Sequence, residues 1–376
     1  MQSIPEVPAS PAARLVRVTH ETRYDYSPAV EVAQHMAYLQ PLDTTTQHLM
    51  SHRLDVEPVP AQQTPTVDVY GNTRTFISLQ SAHARLRVVA TSVVSTRRVE
   101  MPPSELPWEL VRERFRYRAD GIYDPAVEFV FASPYAPRHP DFAAYARASF
   151  GPGESLFTAV LDLTRRIHAD FTYETESTEI NTPALEALAQ RKGVCQDFAH
   201  IMIACLRSMG LAARYVSGYL LTRPPPGKKR LIGNDASHAW VSVLLPDLPA
   251  EARWCDFDPT NDRCGWGAPG DDYIVLARGR DFSDVSPIRG VIHGGANHRL
   301  RVGVTVMPLD EETGDDAQGP PVAPARSTDP TPVLDLGQGP GPGPGPGPGQ
   351  GQGQGQGPGQ SQSQSQSQSQ SQSQSQ

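Results

Sequence analysis

The chain has 376 residues, and a net charge of −8 with no basic stripe excludes a general nucleic-acid binder, which carries a basic face and a high isoelectric point. It contains no run of about eighteen apolar residues able to cross a bilayer, and its start, MQSIPEVPASPAARL, lacks the charged and apolar regions of a secretory signal, so the expected home is the cytoplasm, away from membranes. Cys195, Cys205, Cys255 and Cys264 show no C-x-x-C spacing, so neither structural zinc nor, in a reducing compartment, disulfides are expected, and no cofactor is called for.

In chain order, Val16, Val18, His20, Thr22, Tyr24 and Tyr26 alternate with polar neighbours, the period of a half-buried strand. Similar alternation recurs at Val32 to Tyr38, around Leu54 and Val56, and at Leu86, Val88 and Ala90, with Gly71-Asn72 as a hairpin turn. These signals predict an antiparallel β domain over 14–98. MPPSELPW opens a helical connection over 99–152 that includes a short helix from Pro140 to Arg147. A stronger helix runs from Ser155 to Asp170, with Leu156, Val160, Leu163 and Ile167 on one face. Thr182-Pro183 reads as an N-cap with proline at the first helical position, and Gly193 as the left-handed residue that closes this next helix.

After Cys195 the residues Phe198, Ala199, Met202, Cys205, Leu206 and Met209 recur at spacings of three and four, which predicts a buried helix ending at Gly210. ARYVSGYLL, HAWVSVLLP and RWCDFDPT then read as strands. Helices followed by antiparallel strands over 153–308 define an α+β class rather than a doubly wound sheet. Residues 310–376 lose apolar periodicity and end in Gly-Pro, Gly-Gln and Ser-Gln repeats, a composition expected to stay disordered.

Three residues have the chemistry of a site. Cys195 falls in the first turn of its helix, where unpaired N–H groups and the positive end of the dipole favour the reactive thiolate. A thiol nucleophile needs a base, and the base an orienting group. His238 begins a strand behind the turn-forming GNDAS, whereas His168 lies in a helical pattern and His200 points to a different helical face from Cys195. Asp256 and Asp258 compete for the third role, since residues two apart on a strand share a face. Asp258 precedes the strand-ending Pro259 and so belongs at the edge where His238 sits. A metal site would need His238, Asp256 and another histidine to converge, and no H-E-x-x-H spacing supports one.

GVCQDFAHIMIACLRSMGLAARYVSGYL, SHAWVSVLLP and WCDFDPTND, in that order, resemble the core of the bacterial transglutaminase-like superfamily; RYDYSPAV and HMAYLQPL are similar to the N-terminal domain often fused to it. The resemblance covers the chain from Arg14 to about Pro308. It implies a papain-like fold and a triad with Cys195 as nucleophile, His238 as base and Asp258 as orienting carboxylate. It also implies acyl transfer from an amide of a peptide or protein to the thiol, then attack by an amine or by water. Relatives include cross-linking enzymes, peptidases and silent scaffolds that keep the fold, the last being the alternative here.

Asp256 stands where relatives usually have a small or varied residue, and is expected either to raise the proton affinity of His238 or to be solvated. The backbone N–H of Cys195 supplies one oxyanion donor, with Tyr173 and Gln190 as candidates for the second. The loop Arg223 to Ser237, with its GKKR tip, is expected to flank the cleft and favour acidic substrates. The glutamines of the tail act as a solvated spacer or as acyl donors for self-modification.

Overall fold

The computed structural model describes residues 13–100, 103–116, 123–174, 182–222, 237–295 and 297–309. The loop after Thr222 that precedes Ser237 and the low-complexity tail lie outside them.

The alternation read between Val16 and Tyr26 belongs to a single long strand, β1 (Arg14–Ala37), whose side chains at Val16, Val18, His20, Thr22, Tyr24 and Tyr26 are all buried. It is followed by β2 (Gln47–Glu57), β3 (Gln62–Val67), β4 (Thr73–Leu79) and β5 (His83–Thr96), in the spatial order β2-β5-β1-β4-β3. Gly71, at φ +83°, turns the β3–β4 hairpin, donating to the carbonyl of Asp68 at 3.1 Å. Only a residue without Cβ takes that conformation at no steric cost.

Helices come next: α1 (Trp108–Arg114), α2 (Pro140–Arg147), α3 (Leu156–Asp170), α4 (Ala184–Gln190) and α5 (Cys195–Ser208). Ser155 caps α3 by accepting from the Thr158 N–H at 3.1 Å, and Leu156, Val160, Leu163 and Ile167 are buried on the face the spacing predicts. Two short strands, β6 (Thr172–Tyr173) and β7 (Lys192–Gly193), pair in parallel on either side of α4, with Tyr173 opposite Gly193.

Two local expectations fail here. Pro183, not Thr182, is the N-cap of α4, and it offers no side-chain cap. The left-handed residue that closes α4 is Arg191, at φ 55° and ψ 35°, rather than Gly193. The guanidinium of Arg191 stacks over the rings of Tyr145 (4.4 Å) and Phe171 (4.9 Å), an attraction that holds a non-glycine residue in this conformation. Gly193 is needed for space: a Cβ there would stand 2.7 Å from both Cβ and Oδ2 of Asp197.

The remaining strands are β8 (Ala213–Leu220), β9 (Ser237–Leu244), β10 (Trp254–Asp258), β11 (Arg263–Trp266) and β12 (Tyr273–Gly279). They form an antiparallel sheet in the order β11-β10-β9-β8-β12. A short helix α6 (Phe282–Val285) leads to β13 (Ile288–Gly294) and β14 (Asn297–Pro308), which return to pair with β1 and complete the N-terminal sheet.

The helix α5 lies against β8 and β9 with the other helices around it, and its residues from Cys195 to Arg207 are buried on every side. A helix buried on all sides belongs in the middle of a core, and the polar residues that α5 carries there are met by partners such as those of Asp197, His200 and Arg207. Each fully buried Leu, Ile, Met or Phe on it is worth about 1.5–3 kcal/mol of transfer free energy, so its place is fixed by Phe198, Ile201, Met202, Ile203 and Leu206. The two sheets join through Val16, Val18 and Val94 from one and Tyr219, Ile274 and Leu276 from the other. His20 Nδ1 meets the Tyr219 hydroxyl at 2.9 Å in this seam.

Candidate active site

The site forms where the first turn of α5 meets the edge of the sheet. Cys195 is the first residue of α5 and has no exposed surface. The helix start is fixed by Asp197, whose Oδ2 accepts the Val194 N–H at 2.8 Å. This is the side-chain half of a capping box, with a carboxylate at the positive end of the dipole.

His238 sits at the start of β9 opposite Gly218 of β8, and is 2% exposed. Its Nε2 donates to Asp258 Oδ2 at 2.7 Å, and Asp258, at the end of β10, is fully buried. Nδ1 has no hydrogen-bond partner of ordinary geometry, and the Cys195 side chain lies near enough to the ring to favour its protonated form. The structure therefore brings Cys195, His238 and Asp258 together.

Two further donors, neither anticipated from the sequence, converge on Asp258. Oδ2 also accepts from Asn261 Nδ2 and from the Tyr273 hydroxyl, each at 2.7 Å. Oδ1 accepts the backbone N–H groups of Thr260 (2.8 Å) and Asn261 (3.3 Å). A turn residue such as Asn in DPTND could have been suspected, since Asp-Pro commonly opens a turn whose N–H groups point back at the carboxylate. Tyr273 carries no local signal. It arrives on β12, beyond β8, and reaches Asp258 only through the order of the strands.

Burial acts on both members of the pair and is opposed by their mutual attraction. For His238, desolvation alone would lower the pKa; the Asp258 charge and hydrogen bond, then the Cys195 thiol, reverse this and raise it to about 10. For Asp258, desolvation would raise the pKa; the His238 charge and the bonds from His238, Asn261 and Tyr273 lower it to about 2. A thiol beside such an imidazole can be held as an ion pair ready for nucleophilic attack.

Asp256 behaves differently from both expectations held for it. It is fully buried, not solvated, and its Oδ2 accepts from Trp240 Nε1 at 2.9 Å rather than meeting His238. Its charge acts on Arg214 and Arg278, whose pKa values burial lowers and Asp256 raises. The Trp240 indole then packs edge-on against Tyr273, ring centres 5.4 Å apart. Gly218 leaves the room this indole occupies, since a Cβ there would collide with it and with the Ile274 carbonyl.

Of the two candidates for a second oxyanion donor, Tyr173 is near the thiol. Its pairing with Gly193 holds it two residues from Cys195, and its phenol is kept protonated by burial and by the charges of Cys195, Asp197 and Asp258. Gln190 is exposed and donates to Glu186 of its own helix at 2.8 Å, away from the site. His200 is a core residue, stacked between Tyr135 and Tyr215 at 5.2 and 5.0 Å and accepting the Phe282 N–H at 3.2 Å. His168 is exposed on α3, with Nδ1 2.9 Å from the Thr260 carbonyl. Among the described residues, no group of three His, Cys, Asp or Glu side chains could hold a metal ion, and no helix is long and apolar enough to cross a membrane.

An antiparallel sheet backed by a buried helix that carries a thiol at its first turn is the architecture of the transglutaminase-like proteins, and known sequences bear this out. Residues 16–95 match the bacterial transglutaminase-like N-terminal region and residues 143–259 the transglutaminase-like superfamily. The chain belongs to this superfamily. It is 41% identical over 303 residues to an uncharacterized protein of Mycobacterium tuberculosis, a match covering 78% of this chain and 93% of the relative. An uncharacterized protein of Mycobacterium leprae is 31% identical over 299 residues, covering 78% and 99%. The fold is shared with a candidate cysteine protease from Cytophaga hutchinsonii, at 21% identity and a TM-score of 0.58, over 82% of this chain and 93% of that one.

Proposed function

We propose that this protein is a thiol-dependent acyl-transfer enzyme acting on amide bonds of peptides or proteins, with Cys195, His238 and Asp258 as its catalytic triad. The observation that carries the reading is the buried His238 ring, tied to Asp258 through Nε2 and close to the first-turn thiol of α5. In the first step the Cys195 sulfur attacks the amide carbonyl carbon. The C–N bond breaks, His238 gives its proton to the departing amine, and an acyl thioester remains on the enzyme. Water or a second amine, losing its proton to His238, then attacks the thioester and restores the thiolate. Hydrolysis and cross-linking differ only in that second nucleophile.

The Cys195 N–H supplies one oxyanion donor and the Tyr173 hydroxyl is the proposed second. The cytoplasm is the proposed compartment, since none of the four cysteines is in a disulfide. The decisive experiment is iodoacetamide trapping with peptide mapping. Preferential alkylation of Cys195 at about pH 6, lost in His238→Ala, is expected of an activated ion pair. Alkylation no faster than in denatured protein would refute the proposal and leave a silent scaffold.

A further inference from the structure

A cavity of about 750 Å³ opens at the end of α5 opposite the thiol, walled by α1, α2 and the chain leaving α5 at Ser208 to Gly210. The 14 residues of α5 put it about 20 Å from Cys195 at 1.5 Å per residue, so it is no part of the triad. Its volume falls within the range of small-molecule sites.

Its chemistry is one-sided. Arg112, Arg138, Arg147 and Arg207 line it, and no Asp or Glu side chain does, in a protein whose net charge is −8. Arg138 and Arg147 are exposed and make no ion pair among the described residues, although Arg138 Nη2 donates to the Val130 carbonyl at 3.0 Å. Arg112 reaches Glu113 only at 3.8 Å, an exposed contact worth little. Arg207, beneath them, is fully buried, and its hydrogen bonds go to the carbonyls of Phe129, Ala213 and Arg280 and to the Ser133 hydroxyl. All are neutral acceptors, and the carboxylates that act on Arg207, those of Asp281 and Asp284, do not line the groove. The carbonyl end of α5 opposes this field, but by only about half a charge against whole guanidinium charges. The buried hydroxyl of Ser208, also in the lining, has no hydrogen-bond partner. Trp108 supplies an apolar floor, with Arg112 held 4.9 Å over its ring.

We propose that this groove is a binding site for a small multivalent anion, one bearing two or more phosphate or carboxylate groups. The forked guanidinium groups of Arg112, Arg138 and Arg147 would each take a pair of its oxygens, as planar guanidinium does with both chemistries. The Ser208 hydroxyl would donate to another.

Calorimetric titration and thermal denaturation of the full chain, with tripolyphosphate and citrate as separate probes at low salt, test this. At least one probe should bind one-to-one and raise the melting temperature. Tripolyphosphate alone would assign a phosphate ligand, citrate alone a carboxylate. Arg138→Gln/Arg147→Gln should weaken binding at least about tenfold, the effect of losing a charge-assisted bond. Because both side chains are exposed and the only hydrogen bond given up is that of Arg138 to the Val130 carbonyl, the variant should melt close to the wild type without ligand; Ser208→Ala, expected to weaken binding several-fold, gives a second handle should it not. Cys195→Ala should bind unchanged, so the outcome is independent of the proposed catalysis. Failure of both probes to bind, or wild-type affinity in the arginine and serine variants, would overturn the proposal.

Discussion

Replacing Asp258 by Asn tests the site most sharply, because the side chain keeps its shape and loses only charge and acceptor capacity. Three donors converge on Oδ2 and two on Oδ1 of this fully buried carboxylate, with Asn261 itself half-buried. An amide has one oxygen. If it faces His238, Asn261 and Tyr273, the NH₂ group confronts the N–H groups of Thr260 and Asn261, and two donors lose their acceptor; in the other orientation three do. At about 1–3 kcal/mol for each buried donor left unsatisfied, the better orientation costs roughly 2–6 kcal/mol. That range brackets the roughly 3–5 kcal/mol expected for breaking a buried ion pair. The charge effect is separate: without Asp258, burial dominates at His238 and its pKa falls, so the imidazolium is lost near neutrality. Asp258→Asn should therefore lower the urea midpoint and slow alkylation of Cys195 at about pH 6 by roughly 10²–10⁴, the range for loss of a positioned acid–base group. Wild-type alkylation with an unchanged midpoint would refute the reasoning.

The pH dependence of stability should have two limbs. His238, raised to about 10, contributes stability fully present below its ordinary pKa of 6.5 and lost as pH rises toward 10; Asp258, lowered to about 2, contributes stability present above 3.8 and lost as pH falls toward 2. Urea midpoints against pH should show the alkaline limb flatten in His238→Ala, and an identical limb in that variant would contradict the assignment. Gly193→Ala should cost about 1–3 kcal/mol, the usual penalty of overpacking, because its Cβ stands 2.7 Å from Asp197; a melting temperature equal to wild type would show that the turn yields freely. Tyr273→Phe removes one hydrogen bond to a carboxylate, worth about 1.5–3 kcal/mol, and should also slow Cys195 alkylation; no change in either would reduce Tyr273 to packing.

What could be read from the sequence was what neighbouring residues decide between themselves. Period-two burial along β1 and three-four spacing along α3 and α5 depend on side chains a few positions apart, so the long strand, the helices and the first-turn position of Cys195 were legible. The closure of α4 was not, because two mechanisms fit the same RKG. Glycine is the default left-handed residue, yet Arg191 takes that role with the help of Tyr145 and Phe171, both contributed from earlier in the chain. The glycine two residues on answers a different demand, the space filled by Asp197.

The two acids of WCDFD show the same limit within the site itself. The rule that residues two apart share a face makes Asp256 and Asp258 equivalent, and only position along β10 separates them. Asp256 pairs with Ser242 in the interior of β9, where the donor within reach is the Trp240 indole. Asp258 lies one step beyond the β9 pairing, at the end that faces His238, and Pro259 starts a turn there that aims two backbone N–H groups at its second oxygen. The proline could be read, and with it which acid stands at the edge. That the other acid would be buried against a tryptophan, within the electrostatic reach of two arginines, could not, since Arg214, Trp240 and Arg278 come from three different strands. A buried carboxylate is tolerable only where such partners gather. Asp256 is therefore tied to the site through Trp240 and Tyr273, with its Oδ1 left without a hydrogen bond among the described residues and two arginine charges acting on it from a distance, while Asp258 alone of the two acids touches the histidine.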